Sequence, residues 1–417
     1  MPMAADAFSH SPCREYRNRH PDHSIDSTPI APEHQPTRRS FEICKKLYCT
    51  HGSHPHPDPA RRTAIALPSS NSPHSLVLYC RAGFEGECAQ EITAHAAQSG
   101  CHGYVRARRD DAFAEFIAAD NEDLCAFADP RHLVFARQAL ACFAQLADMS
   151  ARDRVTPILD ALRTHGTRWS DVVVEAPDTN DGKALAPFCR SFGNALVGAM
   201  KKLRLLDPAS SQRLHAFFPQ SDKVYLCAGD VGCASPWPQG IPRLKFPREA
   251  PSRSTLKLDE AFLVLLHEGE RERWLKPGMS AVDLGAAPGG WTWQLVRRSL
   301  RVTAVDNGPM DAALMESGLV AHVRADGFRW RPSKPVEWLV CDMVEQPRRV
   351  AALIAQWLSD GLCRRAIFNL KLPMKKRYDE TMLCLSILHD ALGAKADLRA
   401  KQLYHDREEI TVFAQQA

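Results

Sequence analysis

Residues 280–291 read Ser-Ala-Val-Asp-Leu-Gly-Ala-Ala-Pro-Gly-Gly-Trp, an apolar run that breaks into a glycine-rich turn. A strand, such a turn and a following helical pattern form the opening unit of a doubly wound parallel sheet. The rest of the C-terminal half fits that unit. Strands are predicted at Ser280–Leu284, Val302–Val305, Ala321–Arg324, Trp338–Cys341, Ala366–Leu370, Ala400–Tyr404 and Ile410–Phe413, with helical stretches in most gaps. Leu258, Ala261, Phe262, Leu265 and Leu266 mark an amphipathic helix ahead of the first strand. Such alternation predicts an α/β architecture. The last two strands are joined by a tight charged turn and are expected to be antiparallel.

In such sheets ligands sit beyond the carboxyl ends of the strands. Gly285, Gly289 and Gly290 let backbone approach a ligand where a side chain would clash. The free N–H groups of the helix that follows favour a carboxylate, such as the methionine end of S-adenosylmethionine. Gly285-x-Ala287-x-x-Gly290 also reads as a degenerate dinucleotide fingerprint, so the turn alone leaves NAD open. Asp306 follows the glycines by some 20 residues and suits ribose hydroxyls. Asp326 and Asp342 end the next two strands. Any one of the three could be a helix N-cap; three at successive strand ends mark a crevice. Lys371 closes an apolar strand that should be central, where a lysine either snorkels or functions. Lys257 is expected just before the first helix, and Glu409 opens the last strand. If these converge with Asp342, two lysines and two carboxylates surround one crevice.

The remainder divides in two. Residues 1–74 hold 11 of the 29 prolines and 8 of the 17 histidines and show little apolar periodicity. That composition cannot offset its ordering entropy and predicts a disordered extension. Within it Cys44, Cys49, His51, His54 and His56 match no standard zinc-finger spacing, and no metal site is expected. From Ser75 order sets in. Strands are predicted at 75–80, 172–175, 214–218 and 224–227, an extended stretch at 104–118, and helices at 83–99, 155–164 and 185–203. This α+β region, 75–245, carries no catalytic constellation and reads as a binding or positioning domain. A proline-rich link leads into residues 246–417.

The 14 cysteines are scattered without a Cys-x-x-Cys, which suggests buried thiols in a reducing compartment, the cytoplasm. No apolar run is long enough to cross a membrane, and the N-terminus lacks a secretory pattern. The net charge of +4 is too small to announce nucleic-acid binding, so any basic contact must be local. Candidates are Arg106, Arg108 and Arg109; Lys201, Lys202 and Arg204; and Lys375, Lys376 and Arg377.

Several segments together resemble the RNA 2′-O-ribose methyltransferases with a Lys-Asp-Lys-Glu tetrad. They are residues 76–85, Pro251–Lys257, Asp283–Trp291, Val305–Met310, Ala325–Phe328, Cys341–Glu345, Asn369–Arg377 and Gln402–Glu409. The resemblance spans about residues 75–417. It implies a THUMP domain with a ferredoxin-like part that binds RNA, followed by a Rossmann-like methyltransferase domain. It assigns S-adenosylmethionine as cofactor, held by Ser254, Ala287, Pro288, Gly289, Gly290, Asp306, Asp326 and Asp342. It assigns proton acceptance to Lys371, with Lys257, Asp342 and Glu409 completing the tetrad. The implied substrate is a cytidine in the peptidyl-transferase loop of 23S ribosomal RNA or its precursor. A monomer is the default, although the sequence leaves oligomeric state open.

Methyl transfer to a 2′-oxygen requires alignment of oxygen, methyl and sulfur and loss of one proton. A free lysine, with a pKa of about 10.4, accepts that proton only when neutral. Burial, Lys257 and a sulfonium push Lys371 down; Asp342 and Glu409 push it up. Two other readings are an RNA-binding protein with a silent methyltransferase domain and an NAD-dependent dehydrogenase. The intact tetrad opposes the first. Pro288 and the lysine pair oppose the second. Amino and C5 base methylation are disfavoured, because no Asn-Pro-Pro-Tyr or Asp-Pro-Pro-Tyr occurs and no Pro-Cys lies in the second half.

Overall fold

The computed structural model describes residues 75–119, 124 and 129–416, which build two seven-stranded sheets. The extension and its Cys44–His56 cluster lie outside the described residues. In the first sheet β1 (Ser75–Tyr79), β2 (Gly103–Ala107), β3 (Phe113–Ala118) and β4 (Gln138–Leu146) run in the order β2-β3-β1-β4, all antiparallel. Helix α1 (Glu85–Gln98) covers one face of them, giving a ferredoxin-like unit. The sheet continues through β7 (Lys223–Asp230), β6 (Gln212–Gln220) and β5 (Val172–Glu175). Helices α2 (Val155–His165), α3 (Asn180–Ala184) and α4 (Ala186–Lys202) complete the segment.

Two features differ from expectation. The extended stretch at 104–118 is a hairpin, turned where Asp110 and Ala112 take positive φ. Strand β4 was missed because Gln-Ala-Leu-Ala-Cys-Phe-Ala-Gln-Leu has weak β-propensity. Its first five residues are nevertheless buried, sandwiched between β1 and β7.

The second half begins with α5 (Thr255–Leu265) and α6 (Glu268–Trp274). There follow β8 (Ser280–Leu284), α7 (Gly290–Val296), β9 (Arg301–Val305), α8 (Ala312–Glu316), β10 (Val320–Val323) and β11 (Val336–Cys341). The chain ends with α9 (Pro347–Ser359), β12 (Cys363–Lys371), α10 (Arg377–Leu392), β13 (Asp397–Lys401) and β14 (Glu409–Gln415). The sheet order is β10-β9-β8-β11-β12-β14-β13, with β14 antiparallel to both neighbours and the rest parallel. The order reverses between β8 and β11, and crevices form at such switch points. Both sheet faces are covered, as parallel strands require. Ala366, Phe368 and Leu370 of β12 face the cluster that includes α9 and α10, whereas Ile367 faces α5 and α7. Two expected boundaries shift. Lys257 is the third residue of α5 rather than its prelude. The strand expected at Ala400–Tyr404 ends at Lys401, because the following residues leave the sheet for other partners. Among the described cysteines no disulfide forms, and Cys80, Cys142, Cys227 and Cys341 are buried.

The two sheets share a core. Cys88, Ile92 and Ala96 of α1 lie in one buried cluster with Met382, Leu385 and Leu388 of α10. Arg377 closes this seam, bonding Glu87 at 2.9 Å and the Gly83 carbonyl at 2.6 Å, with its guanidinium 3.9 Å from the Phe84 ring centre. The buried Lys401 ammonium donates to the carbonyls of Pro130 and Leu133, and Gln402 N–H donates to the Val134 carbonyl at 2.8 Å. No described helix is long and apolar enough to cross a membrane.

Candidate active site

At the carboxyl end of the second sheet the pairing register does the assembling. Strand β14 pairs with β12 so that Glu409 faces Lys371 and Thr411 faces Asn369. Period-two alternation puts Asn369 and Lys371 on one face of β12, towards α5. Asp342 follows the last residue of the adjacent β11, and Lys257 comes from the first turn of α5. The four predicted residues therefore do converge. Lys371 Nζ donates to Asp342 Oδ1 at 2.7 Å and to Glu409. Lys257 Nζ lies 3.4 and 3.3 Å from the two Asp342 oxygens and also pairs with Glu409. Each carboxylate bridges both lysines, so the cluster is close to neutral.

Burial alone would lower the pKa of Lys371, but the Asp342 and Glu409 carboxylates outweigh it and hold the ammonium above the ordinary lysine range. The competition that the sequence left open resolves towards the charged form in the free protein. Two large apolar side chains nearby in sequence, Val344 and Met374, are 89% and 83% exposed. They stand on the loops that follow Asp342 and Lys371.

A further set of residues went unnoticed in the sequence. Asn369 Nδ2 donates to Asp342 Oδ1 at 3.0 Å. Thr411 Oγ1 lies 2.7 Å from Asn369 Oδ1 and 2.9 Å from Asp406 Oδ2. Asn369, Thr411 and Asp406 are buried. Glu260 of α5 accepts from the backbone of Tyr404 at 2.8 Å and of His405 at 2.9 Å, pinning the loop that leads to Glu409. The available signal was an amide inside Ala366-Ile-Phe-Asn-Leu370, since a buried polar group in an apolar strand needs a partner.

The glycine-rich turn lies beside this cluster, and its glycines are also closely packed. A Cβ on Gly285 would come within 2.5 Å of Met343 Cγ, and one on Gly290 within 2.2 Å of Ser254 Oγ. Gly289 takes φ +116°, a conformation that favours glycine. Ser254 precedes α5, with its Oγ 2.7 Å from Ser252 Oγ. The Ala287–Pro288 peptide is cis. Asp306 accepts from Ala287 N–H at 3.1 Å and Gly308 N–H at 2.7 Å. Asp326 is exposed and accepts from Phe328 N–H at 2.8 Å. Beneath the turn Asp283 is buried and accepts from Thr292 Oγ1 at 2.6 Å, while its other oxygen has no partner. Burial pushes its pKa up to about 7, with Asp342 and Asp306 adding to the rise and the Thr292 hydroxyl opposing it.

Three family models match the chain: "RlmM ferredoxin-like domain" over residues 74–140, "Ribosomal RNA large subunit methyltransferase M, N-terminal" over 153–229, and "FtsJ-like methyltransferase" over 250–374. Two relatives carry the name "Ribosomal RNA large subunit methyltransferase M". The one from Xanthomonas oryzae pv. oryzae (strain PXO99A) is 54% identical over 342 residues, 81% of this chain and 98% of that relative. The one from Xanthomonas campestris pv. campestris (strain B100) is 53% identical over the same shares. Among solved structures, TrmN from Thermus thermophilus aligns over 82% of this chain and 99% of that chain at 14% identity and a TM-score of 0.30, too slight a likeness to argue from. With more than half of all positions shared over almost the whole length of those relatives, the chain belongs to the ribosomal RNA large subunit methyltransferase M family.

Proposed function

We propose that this enzyme transfers the methyl group of S-adenosylmethionine to the ribose 2′-hydroxyl of a cytidine in the peptidyl-transferase loop of 23S ribosomal RNA, in the cytoplasm. The observation that carries this reading is the meeting of Lys257, Asp342, Lys371 and Glu409 beside the glycine-rich turn. The printed name of the relatives supports the substrate class. The donor set suits the cofactor. Asp306, just after β9, is oriented by two backbone N–H groups, and its carboxylate is the group we assign to the ribose hydroxyls. Asp342 borders both the turn and the lysines. Ser254, Ala287–Gly290 and Asp326 complete the proposed pocket.

S-adenosylmethionine, when bound, supplies an electrophilic methyl on a sulfonium. The work of the chain is alignment and proton handling. Lys371 is the group assigned to the 2′-hydroxyl. As an ammonium it donates to the oxygen and fixes its direction; as an amine it takes the proton. Asp342 and Glu409 favour the ammonium, so the amine arises only when further positive charge enters the site. Lys257 shares both carboxylates and so tempers their hold on Lys371. The first sheet presents the RNA, and its edge strand β2 offers the exposed Tyr104 with Arg106 stacked 5.5 Å from the ring centre. Stacking on aromatic side chains is the common mode for unpaired bases.

Mapping of 2′-O-methylation in 23S ribosomal RNA with and without the gene tests the proposal. One ribose mark should vanish on deletion, return with the wild-type gene and stay absent with Lys371→Ala. An unchanged methylation map would overturn it.

A further inference from the structure

Asp406, Thr411 and Asn369 form a buried chain behind Asp342, and hydrogen-bond logic fixes its direction. Asp342, paired with two lysines, is a carboxylate that only accepts. Asn369 must therefore turn its amide N–H₂ towards Asp342 Oδ1, 3.0 Å away. Its amide oxygen then faces Thr411 Oγ1 at 2.7 Å and needs a donor. The threonine hydroxyl has one proton, and this bond uses it. Asp406 Oδ2 accepts the Leu403 N–H at 3.1 Å, but towards the same hydroxyl, 2.9 Å away, it faces a lone pair and can bond there only by donating. Each alternative fails. Flipping Asn369 sets two acceptors against each other. Giving the threonine proton to Asp406 leaves the amide oxygen of Asn369 buried without a donor.

We propose that Asp406 is a neutral carboxylic acid that heads a one-way chain, Asp406 to Thr411 to Asn369 to Asp342, and that this chain positions the Asp342 carboxylate between Lys257 and Lys371. The proposal rests on the tetrad reading above. The surroundings agree with a neutral acid. Asp406 is 1% exposed, and its Oδ1 has no partner. Burial, then Glu409 of β14 and Glu260 of α5, raise its pKa well above the carboxylate range, against the opposing pull of Lys257 and the Leu403 N–H. A neutral Asp406 also preserves the charge balance of the site, because an ionised one would add a third negative charge and compete for Lys257. Asn369, Thr411 and Asp406 are thus positioning residues acting through Asp342.

The test uses the full-length enzyme and compares Thr411→Val with Thr411→Ser. Loss of the hydroxyl should lower the single-turnover methylation rate roughly tenfold to a hundredfold, the scale of small misplacements at a reacting centre. The RNA concentration for half-saturation should move little, and the melting temperature should fall by a few degrees for the orphaned Asn369 oxygen, leaving the enzyme folded in the assay. Serine should restore most of the rate. Carbon-13 NMR with labelled aspartate should show the Asp406 side chain, assigned by its loss in Asp406→Asn, held in its protonated form through neutral pH, while Asp283 titrates at about 7. A wild-type rate in Thr411→Val, a valine defect that serine does not rescue, or an ionised Asp406 signal would overturn the proposal. Lys371→Ala separates the two ideas. If it is inactive while Thr411→Val is normal, the tetrad stands and the chain falls; if it retains full activity, the tetrad reading itself falls.

Discussion

Asp283→Asn should stabilise the free protein at alkaline pH and not at acidic pH. The carboxyl is buried under the turn, with one oxygen bonded to Thr292 and the other unpartnered, and its pKa is raised to about 7. In the unfolded chain it returns to about 3.9. Between those values the folded state binds more protons, so stability falls as pH rises through the window, and the whole cost is present above it. Three pKa units correspond to about 4 kcal/mol. Asparagine removes the charge and keeps an oxygen for the Thr292 hydroxyl. It also places an N–H₂ where the carboxylate oxygen had no partner, at a cost of about 1–3 kcal/mol. The net is a gain of roughly 1–3 kcal/mol above pH 8 and a loss of similar size near pH 3, below both pKa values, since by pH 5 about 1.5 kcal/mol of the wild-type cost is already present. Urea unfolding of both proteins at the two pH values gives the comparison directly. A difference that keeps the same sign and size at both would refute the reasoning, because it would mean that Asp283 does not titrate in this window.

Three further outcomes concern the lysine–carboxylate cluster and the seam. Lys371→Ala should reduce single-turnover methylation by about 10²–10⁴, the range of general-base steps, and leave S-adenosylmethionine affinity nearly intact in calorimetric titration. Asp342→Ala should lose both, since that carboxylate borders the turn and the lysines; equal loss of affinity in the two variants would move Lys371 into the binding site. Lys401, its pKa lowered to about 8 chiefly by burial, should make wild-type stability rise with pH. The unfolded chain, with a lysine pKa of about 10.4, binds the extra proton between those values, which is worth roughly 3 kcal/mol across the window. Lys401→Met should lack that rise when melting is compared at the two ends of the window.

The legibility of the second half followed from physics that acts locally. Ser280–Leu284 and the glycines after it declare a strand and a turn within ten residues, and the structure places β8 at those bounds. Lys371 stood out because a charge after Phe-Asn-Leu is costly unless it has partners. Asn369, Thr411 and Asp406 were not legible, because their roles depend on the β12–β14 register and on a loop between β13 and β14. The sequence marks the turn glycines as points of close approach, and tertiary structure adds that Met343 and Ser254 stand where side chains on Gly285 and Gly290 would go. Strand β4 escaped for the opposite reason: its alanines carry little local preference, and burial between β1 and β7 decides its conformation.

On the proposed tetrad reading, the seam between the two sheets bears on catalysis, because it holds the loop that leads to Glu409. Along residues 401–408 the first sheet's segment supplies partners repeatedly. The Pro130 and Leu133 carbonyls take the Lys401 ammonium, the Val134 carbonyl takes the Gln402 N–H, and Arg81 donates to the Tyr404 carbonyl at 3.1 Å. Arg377 ties Glu408, at 2.7 Å, to Glu87 of α1. Glu409 is the next residue, opposite Lys371. Loops of this length are ordinarily mobile, and a carboxylate on a mobile loop could not hold two lysines in fixed register. Here the loop is clamped from one side by Glu260 of α5 and from the other by the first sheet. On that reading the ferredoxin-like unit is part of the catalytic scaffold, joined to the loop before Glu409 by the hydrogen bonds of Lys401, Gln402, Arg81 and Arg377.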